Sequence, residues 1–198
     1  MPFAPCSMRN CLCYLPHFIV ACNSSHDEPM NLIQVTPGDL KALQQLASET
    51  FVDTYAALNT PENMERYLAE KFNDDQLLKE LQDPDSYFYF VSDDDDILGY
   101  LKLNTGASQT EPQDHRAVEL ERIYIRKAHQ GRQIGVVLFE KAVEVARQLN
   151  APYLWLGVWE ENPKAYRFYQ RMGLIPFDSH VFKLGDDEQT DILMKMEL

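Results

Sequence analysis

The stretch His129-Gln130-Gly131-Arg132-Gln133-Ile134-Gly135 lies between a strand-like run, Leu120-Glu121-Arg122-Ile123-Tyr124-Ile125, and a run with helical apolar spacing. In such a strand–turn–helix the backbone N–H groups of the turn converge, and the helix N-terminus adds a partial positive charge. That is the chemistry of a pyrophosphate cradle built from main chain. Gly131 and Gly135 let a phosphate approach closely, and Arg132 or Lys127 can add charge. Two other phosphate motifs are excluded: there is no G-x-G-x-x-G with an early βαβ unit, and no G-K-[ST]. Further along, Asn162 is placed to cap a helix that carries Ala165, Phe168, Tyr169 and Met172.

Regular elements must position these residues. Leu32 to Val35 reads as a short strand. Leu40, Leu43, Leu46, Ala47, Phe51 and Tyr55 recur at helical spacing, and Pro61 opens a second helix with Met64, Tyr67, Leu68 and Phe72 on its stripe. Asp74 to Leu81 is a third, shorter piece. Tyr87 to Val91 and Ile97 to Leu103 form a hairpin whose tip, Asp93 to Asp96, is expected to be a solvated turn; the oxygen spacing of a calcium loop is absent. Gly106 to His115 is a polar loop and Val118 to Ile125 a strand. Ile134 to Leu149 is a helix whose stripe is Leu138, Ala142, Val145, Ala146 and Leu149. Tyr153 to Trp159 is a strand, Pro163 to Met172 a helix, and Phe182 to Leu184 and Ile192 to Met196 close the chain as strands. The order implies one α/β domain with a mixed sheet covered by helices.

The 198 residues carry 31 acidic and 18 basic side chains, a net charge of -13. That balance argues against nucleic acid or an anionic membrane as partner and suits a small cationic substrate. No apolar run approaches the ~20 residues of a membrane span. All four cysteines lie in the first 22 residues. A body without cysteine fits a reducing cytoplasm. Residues 1–29 are expected to be a disordered or upstream extension of a domain covering 30–198. A secretion signal is the alternative, weakened by Pro16 and His17 within the apolar stretch. Cys11 and Cys13 match no trusted zinc spacing, so no metal is expected.

Two ordered motifs carry a family resemblance. The turn resembles the acetyl-coenzyme A motif Q/R-x-x-G-x-G/A of the GCN5-related N-acetyltransferases, with Gln130 first, Gly135 last, and Gln133 where the middle glycine is expected. The segment Trp155-Leu156-Gly157-Val158-Trp159-Glu160-Glu161-Asn162 through Met172-Gly173-Leu174 is similar to the same superfamily's strand followed by N-x-x-A-x-x-F-Y-x-x-x-G-F. From Met30 on, the chain resembles the PaiA-type spermidine/spermine N-acetyltransferases, on Glu49 to Tyr55, Pro61 to Met64, Leu120 to Ile125, Trp155 to Glu160 and Leu184 to Asp191. The resemblance implies a twisted mixed sheet with helices on both faces, splayed between its fourth and fifth strands. It implies an acyltransferase that moves the acetyl group of acetyl-coenzyme A onto a primary amine of a polyamine. The same branch is linked to negative control of sporulation and protease synthesis.

The resemblance also assigns roles. The cofactor arm would bond to the strand at Ile123, Tyr124 and Ile125, the pyrophosphate would sit on Gln130, Gly131, Arg132, Gln133, Ile134 and Gly135, and Asn162 would touch the arm. Tyr169 would donate a proton to the leaving thiolate. Alkyl ammonium groups have a pKa near ~10, so a base is needed. Glu121 is the choice, with Glu119 the fallback. By strand alternation both share a face with Ile123 and Ile125, while Arg122 and Tyr124 point the other way. Asp53, Tyr55, Glu62 and Trp159 are the expected acceptor contacts. A protein or aminoglycoside amine stays open as acceptor, as does a coenzyme A-binding regulator without turnover. A homodimer stays open as well.

Overall fold

A computed structural model describes residues 30–94, 96–111, 113–184 and 187–198. The expected extension 1–29, with its four cysteines, lies outside them. The elements run β1 (Asn31–Gln34), α1 (Leu40–Tyr55), α2 (Pro61–Lys71), α3 (Asp74–Gln82), β2 (Ser86–Asp93), β3 (Asp96–Asn104), β4 (Val118–Ile125), α4 (Ile134–Gln148), β5 (Tyr153–Trp159), α5 (Pro163–Arg171), β6 (Ile175–Leu184) and β7 (Asp187–Glu197). The two closing strands are longer than the apolar pattern predicts. Their outer residues, such as Asp178 and Ser179, take their strand geometry from pairing with β7 rather than from apolar alternation.

One sheet holds all seven strands in the order β1-β2-β3-β4-β5-β7-β6. Every pairing is antiparallel except β4 with β5. That parallel contact has two rungs, Val118↔Leu154 and Glu119↔Trp155, and then the strands part. The expected splay is therefore present, and β4 from Leu120 onward offers an open edge.

Helices cover both faces. On one, α4 inserts Ile134, Leu138, Phe139, Ala142, Val145 and Ala146 against Leu101, Leu103, Val118 and Leu120. Leu149, expected on that stripe, is instead exposed, because it is the C-cap where the helix turns away. α5 packs on the same side through Phe168 and Tyr169. On the other face, Leu43, Leu46, Ala47 and Phe51 of α1, Met64 of α2 and Leu77 of α3 enclose Phe88, Phe90 and Tyr100. No helix among the described residues is long and apolar enough to cross a membrane.

Candidate active site

Side-chain caps distinguish the helix starts. Thr60 accepts from Asn63 N at 3.2 Å, Asn73 from Gln76 N at 2.9 Å and Asn162 from Ala165 N at 3.1 Å, closing the first turns of α2, α3 and α5. α4, like α1, has no such cap and no acidic residue in its first turn. Its leading N–H groups remain available to an anion. The loop before it holds two residues at positive φ. Gly131 has φ +88°, and an added Cβ there would meet nothing within 4 Å. Gln133 caps the helix at φ 62°, a left-handed conformation that costs a residue with a Cβ on the order of 1 kcal/mol. The position where the resembled family places glycine thus demands the conformation glycine adopts freely. Gln130 Nε2 donates to the Ile125 carbonyl at 3.4 Å, tying the loop to the end of β4.

The acidic hairpin tip does more than meet solvent. Asp93 binds Arg132 at 3.0 Å, and Asp96 binds Arg126 at 3.0 Å and His129 at 3.4 Å. These contacts clasp the cradle loop against β2 and β3. Arg132 is therefore paired, while Lys127 is exposed.

A cleft of about 860 Å³ runs into the splay. Residues from both sheet faces line it: Tyr55 and Tyr67 from α1 and α2, Ala165 and Tyr169 from α5, Ile123 and Tyr124 from β4, and Asn162. The open β4 edge and Tyr169 therefore adjoin one passage, and the start of α4 lies behind them, Gly135 packing on Ile125 and Phe168. Tyr169 is buried among Phe139 and Phe168, and burial raises its hydroxyl pKa well above the usual tyrosine range. It stays protonated across physiological pH, as a proton donor requires.

The floor of the cleft corrects the strand-alternation reading. β3 and β4 pair Lys102 with Arg122 but Leu103 with Leu120, so Glu121 is the extra residue of a bulge. The bulge shifts the alternation by one. Glu121 therefore shares a face with Arg122, on the α1–α3 side, while Ile123 and Ile125 pack toward α4. Glu121 meets Lys102 at 2.6 Å, Arg122 at 2.8 Å and Asn104 Nδ2 at 2.6 Å. Glu80 of α3 binds the same two cations, at 2.8 and 2.9 Å. Burial alone would raise the Glu121 pKa; the Arg122 and Lys102 charges outweigh it and hold the carboxyl down at about 2. A carboxylate so stabilised is a poor acceptor for a proton bound at pKa ~10. Glu119 is raised by burial, but Thr110 N, Thr110 Oγ1 and Asn104 Nδ2 all donate to it.

Of the four expected acceptor contacts, the structure brings two together. Tyr55 and Trp159 both line the cleft, with ring centroids 6.1 Å apart. Asp53 and Glu62 are exposed and do not line it. Asp53 lies two residues from Phe51 and Tyr55, on the opposite side of α1, and Glu62 stands in the first turn of α2. The pattern that places Tyr55 inward thus places Asp53 outward. Reading by residue type missed Asp191, which lines the cleft opposite Trp159 in the β5–β7 ladder. It could have been found in the alternation of β7, whose Asp191 and Leu193 fall on one face.

Comparison with known proteins agrees with this fold. Residues 40–174 match the model of the acetyltransferase (GNAT) family. The chain belongs to that family. It is 44% identical over 169 residues to an uncharacterised N-acetyltransferase of Lactobacillus delbrueckii subsp. lactis, covering 85% of this chain and 98% of that one. A spermidine N(1)-acetyltransferase of Thermoplasma acidophilum is 25% identical, with 79% of this chain and 90% of that one covered. Among solved structures, the PaiA N-acetyltransferase of Thermoplasma acidophilum in complex with coenzyme A superposes with a TM-score of 0.71 at 22% identity, covering 86% of this chain and all of the other. The protein is thus an acyltransferase enzyme of the GNAT fold.

Proposed function

We propose that this acetyltransferase uses acetyl-coenzyme A to acetylate a primary amine of a small polycation of the spermidine type. The observation that carries the proposal is the cleft that enters the β4–β5 splay. It joins the open β4 edge at Ile123, behind which the start of α4 packs on Ile125 and Phe168 at Gly135, to a wall of aromatic rings and carboxylates. The spermidine acetyltransferase relative and the coenzyme A complex of the PaiA neighbour support the same reading, as does the net charge of -13.

Acetyl-coenzyme A supplies a thioester carbonyl for the amine to attack. The backbone of Gly131 to Gly135 and the α4 N-terminus would hold its pyrophosphate. The free edge at Ile123 and Ile125 would receive the amide-bearing arm as an added strand. Asn162 has its Oδ1 committed to Ala165 N, which leaves its Nδ2 for the arm. Tyr169 donates the proton that the departing sulfur needs. Tyr55 and Trp159 offer π faces to an ammonium or its alkyl chain.

The test is thiol release from acetyl-coenzyme A against a panel of spermidine, spermine, an aminoglycoside and a lysine peptide. Polyamines should give the highest kcat/KM. A preference for another amine would move the acceptor class, and absence of turnover with all four would remove the proposal.

A further inference from the structure

Three carboxylates on the cleft floor, Glu80, Glu119 and Glu121, are matched by donors or cations from the protein itself. Asp191 is the exception. No hydrogen bond or ion pair reaches its side chain among the described residues, although it is half-buried. Pairing on both sides fixes its strand. Its backbone pairs with Trp159 across β5 and β7 and with His180 across β6 and β7. An added Cβ on Gly157 would lie 3.3 Å from its Oδ2, so the carboxylate leans over β5 toward the splay. Tyr55, Asp191 and Tyr169 line the same cleft, and the Asp191 charge helps to raise the Tyr55 hydroxyl pKa.

We infer that Asp191 receives the acceptor ammonium in the bay formed with Tyr55 and Trp159, and takes its proton before acetyl transfer. This rests on the acetyltransferase reading above. An unpartnered carboxylate across the ladder from Trp159, in the cleft that Tyr55 also lines, fits a primary ammonium better than it fits an anion or a neutral group. The proton balance closes. The ammonium gives one proton to Asp191, and the freed nitrogen lone pair forms the C–N bond as the C–S bond breaks. The sulfur takes the Tyr169 phenol proton, and the second nitrogen proton restores the phenol. Asp191 then returns its proton to solvent through the open cleft, so one proton is released per turnover.

The surroundings tune this carboxylate upward. Burial raises its pKa, the nearby His180 lowers it, and Glu160 after β5 raises it again. Among the described residues Tyr55 of α1 also faces it, with the Tyr124 hydroxyl beside that of Tyr55. His180 Nε2 lies 3.7 Å from Glu111, and its Nδ1 is buried without a partner among the described residues. A raised carboxylate is a better proton acceptor than one pinned at about 2, as Glu121 is.

The test measures kcat/KM for the preferred amine from pH 6 to 10 in wild type, Asp191→Asn, Asp191→Glu and Glu121→Gln. Asp191→Asn should lose about 10²-fold at neutral pH and recover to within about tenfold near pH 10, where free amine is abundant without a base. Asp191→Glu should retain part of the rate, and Glu121→Gln should keep the shape of the wild-type profile. Stabilisation by acetyl-coenzyme A should persist in Asp191→Asn, which shows that the fold and the cofactor side are intact. A pH-independent loss, or none, would overturn the role of Asp191. Wild type that acetylates no amine would sink the underlying reading instead.

Discussion

On the floor of the cleft, Glu121 is held by Lys102, Arg122 and Asn104 at 2.6 to 2.8 Å. On the wall, Asp191 accepts from no donor among the described residues and faces Tyr55 and Trp159. Both are carboxylates on strands in the same cleft. The floor carboxylate neutralises two buried cations that would otherwise be costly to enclose. The wall carboxylate leaves its charge open to a ligand. Substitutions on the wall should therefore impair turnover with little effect on folding, and those on the floor should do the reverse.

Tyr169→Phe tests the wall most severely. The change keeps the ring against Phe139 and Phe168 and removes only the hydroxyl proposed as proton donor. Turnover should fall roughly 10²–10⁴-fold, with acetyl-coenzyme A affinity and melting temperature near wild type. Unchanged turnover would mean that the thiolate leaves without this proton and that the wall is ordinary packing.

Glu121→Gln tests the floor. The folded pKa of about 2 lies below the ordinary 4.5, so the folded state binds fewer protons than the unfolded chain between those values. The stabilisation is present above pH 4.5 and is lost as pH falls toward 2, amounting to about 3 kcal/mol at neutral pH. At pH 7 the variant should melt roughly 6–12 °C below wild type, and the gap should close in acid. A gap that stays constant with pH would show that the loss comes from packing rather than charge.

Asp93→Asn gives the smallest effect and sharpens the contrast between buried and exposed pairs. Its partner Arg132 is 44% exposed on the side chain, against 9% for Arg122 on the floor. The stability loss should be below about 1 kcal/mol, measured by urea unfolding. A loss comparable to that of Glu121→Gln would show that the hairpin clasp is essential to the cradle loop.

Much of this arrangement is local and was legible in the sequence. Leu43, Leu46, Ala47 and Phe51 define α1 by spacing alone, and the bounds of β4 follow from its apolar and β-branched run. The order of strands and helices predicts the mixed sheet. The turn before α4 is readable as an anion cradle, because glycines and an uncapped helix start are properties of adjacent residues. Tyr169 belongs to a motif with fixed spacing, so its place on α5 follows from helix geometry. The partners of the charges are different, because they are brought together by pairing between distant segments. Glu121 meets Lys102 from β3 and lies near Glu80 of α3 only because a bulge in β4 reverses the face it presents. No pattern within Val118–Ile125 encodes that shift, since it depends on the register against β3. Asp93 and Asp96 likewise pass from a solvated tip to a clasp once the β2–β3 hairpin lies beside Arg126 and Arg132. Which carboxylate is neutralised and which is left open depends on the counter-charges that tertiary pairing puts within a few ångströms of it, because Coulomb attraction follows distance in space and not separation along the chain.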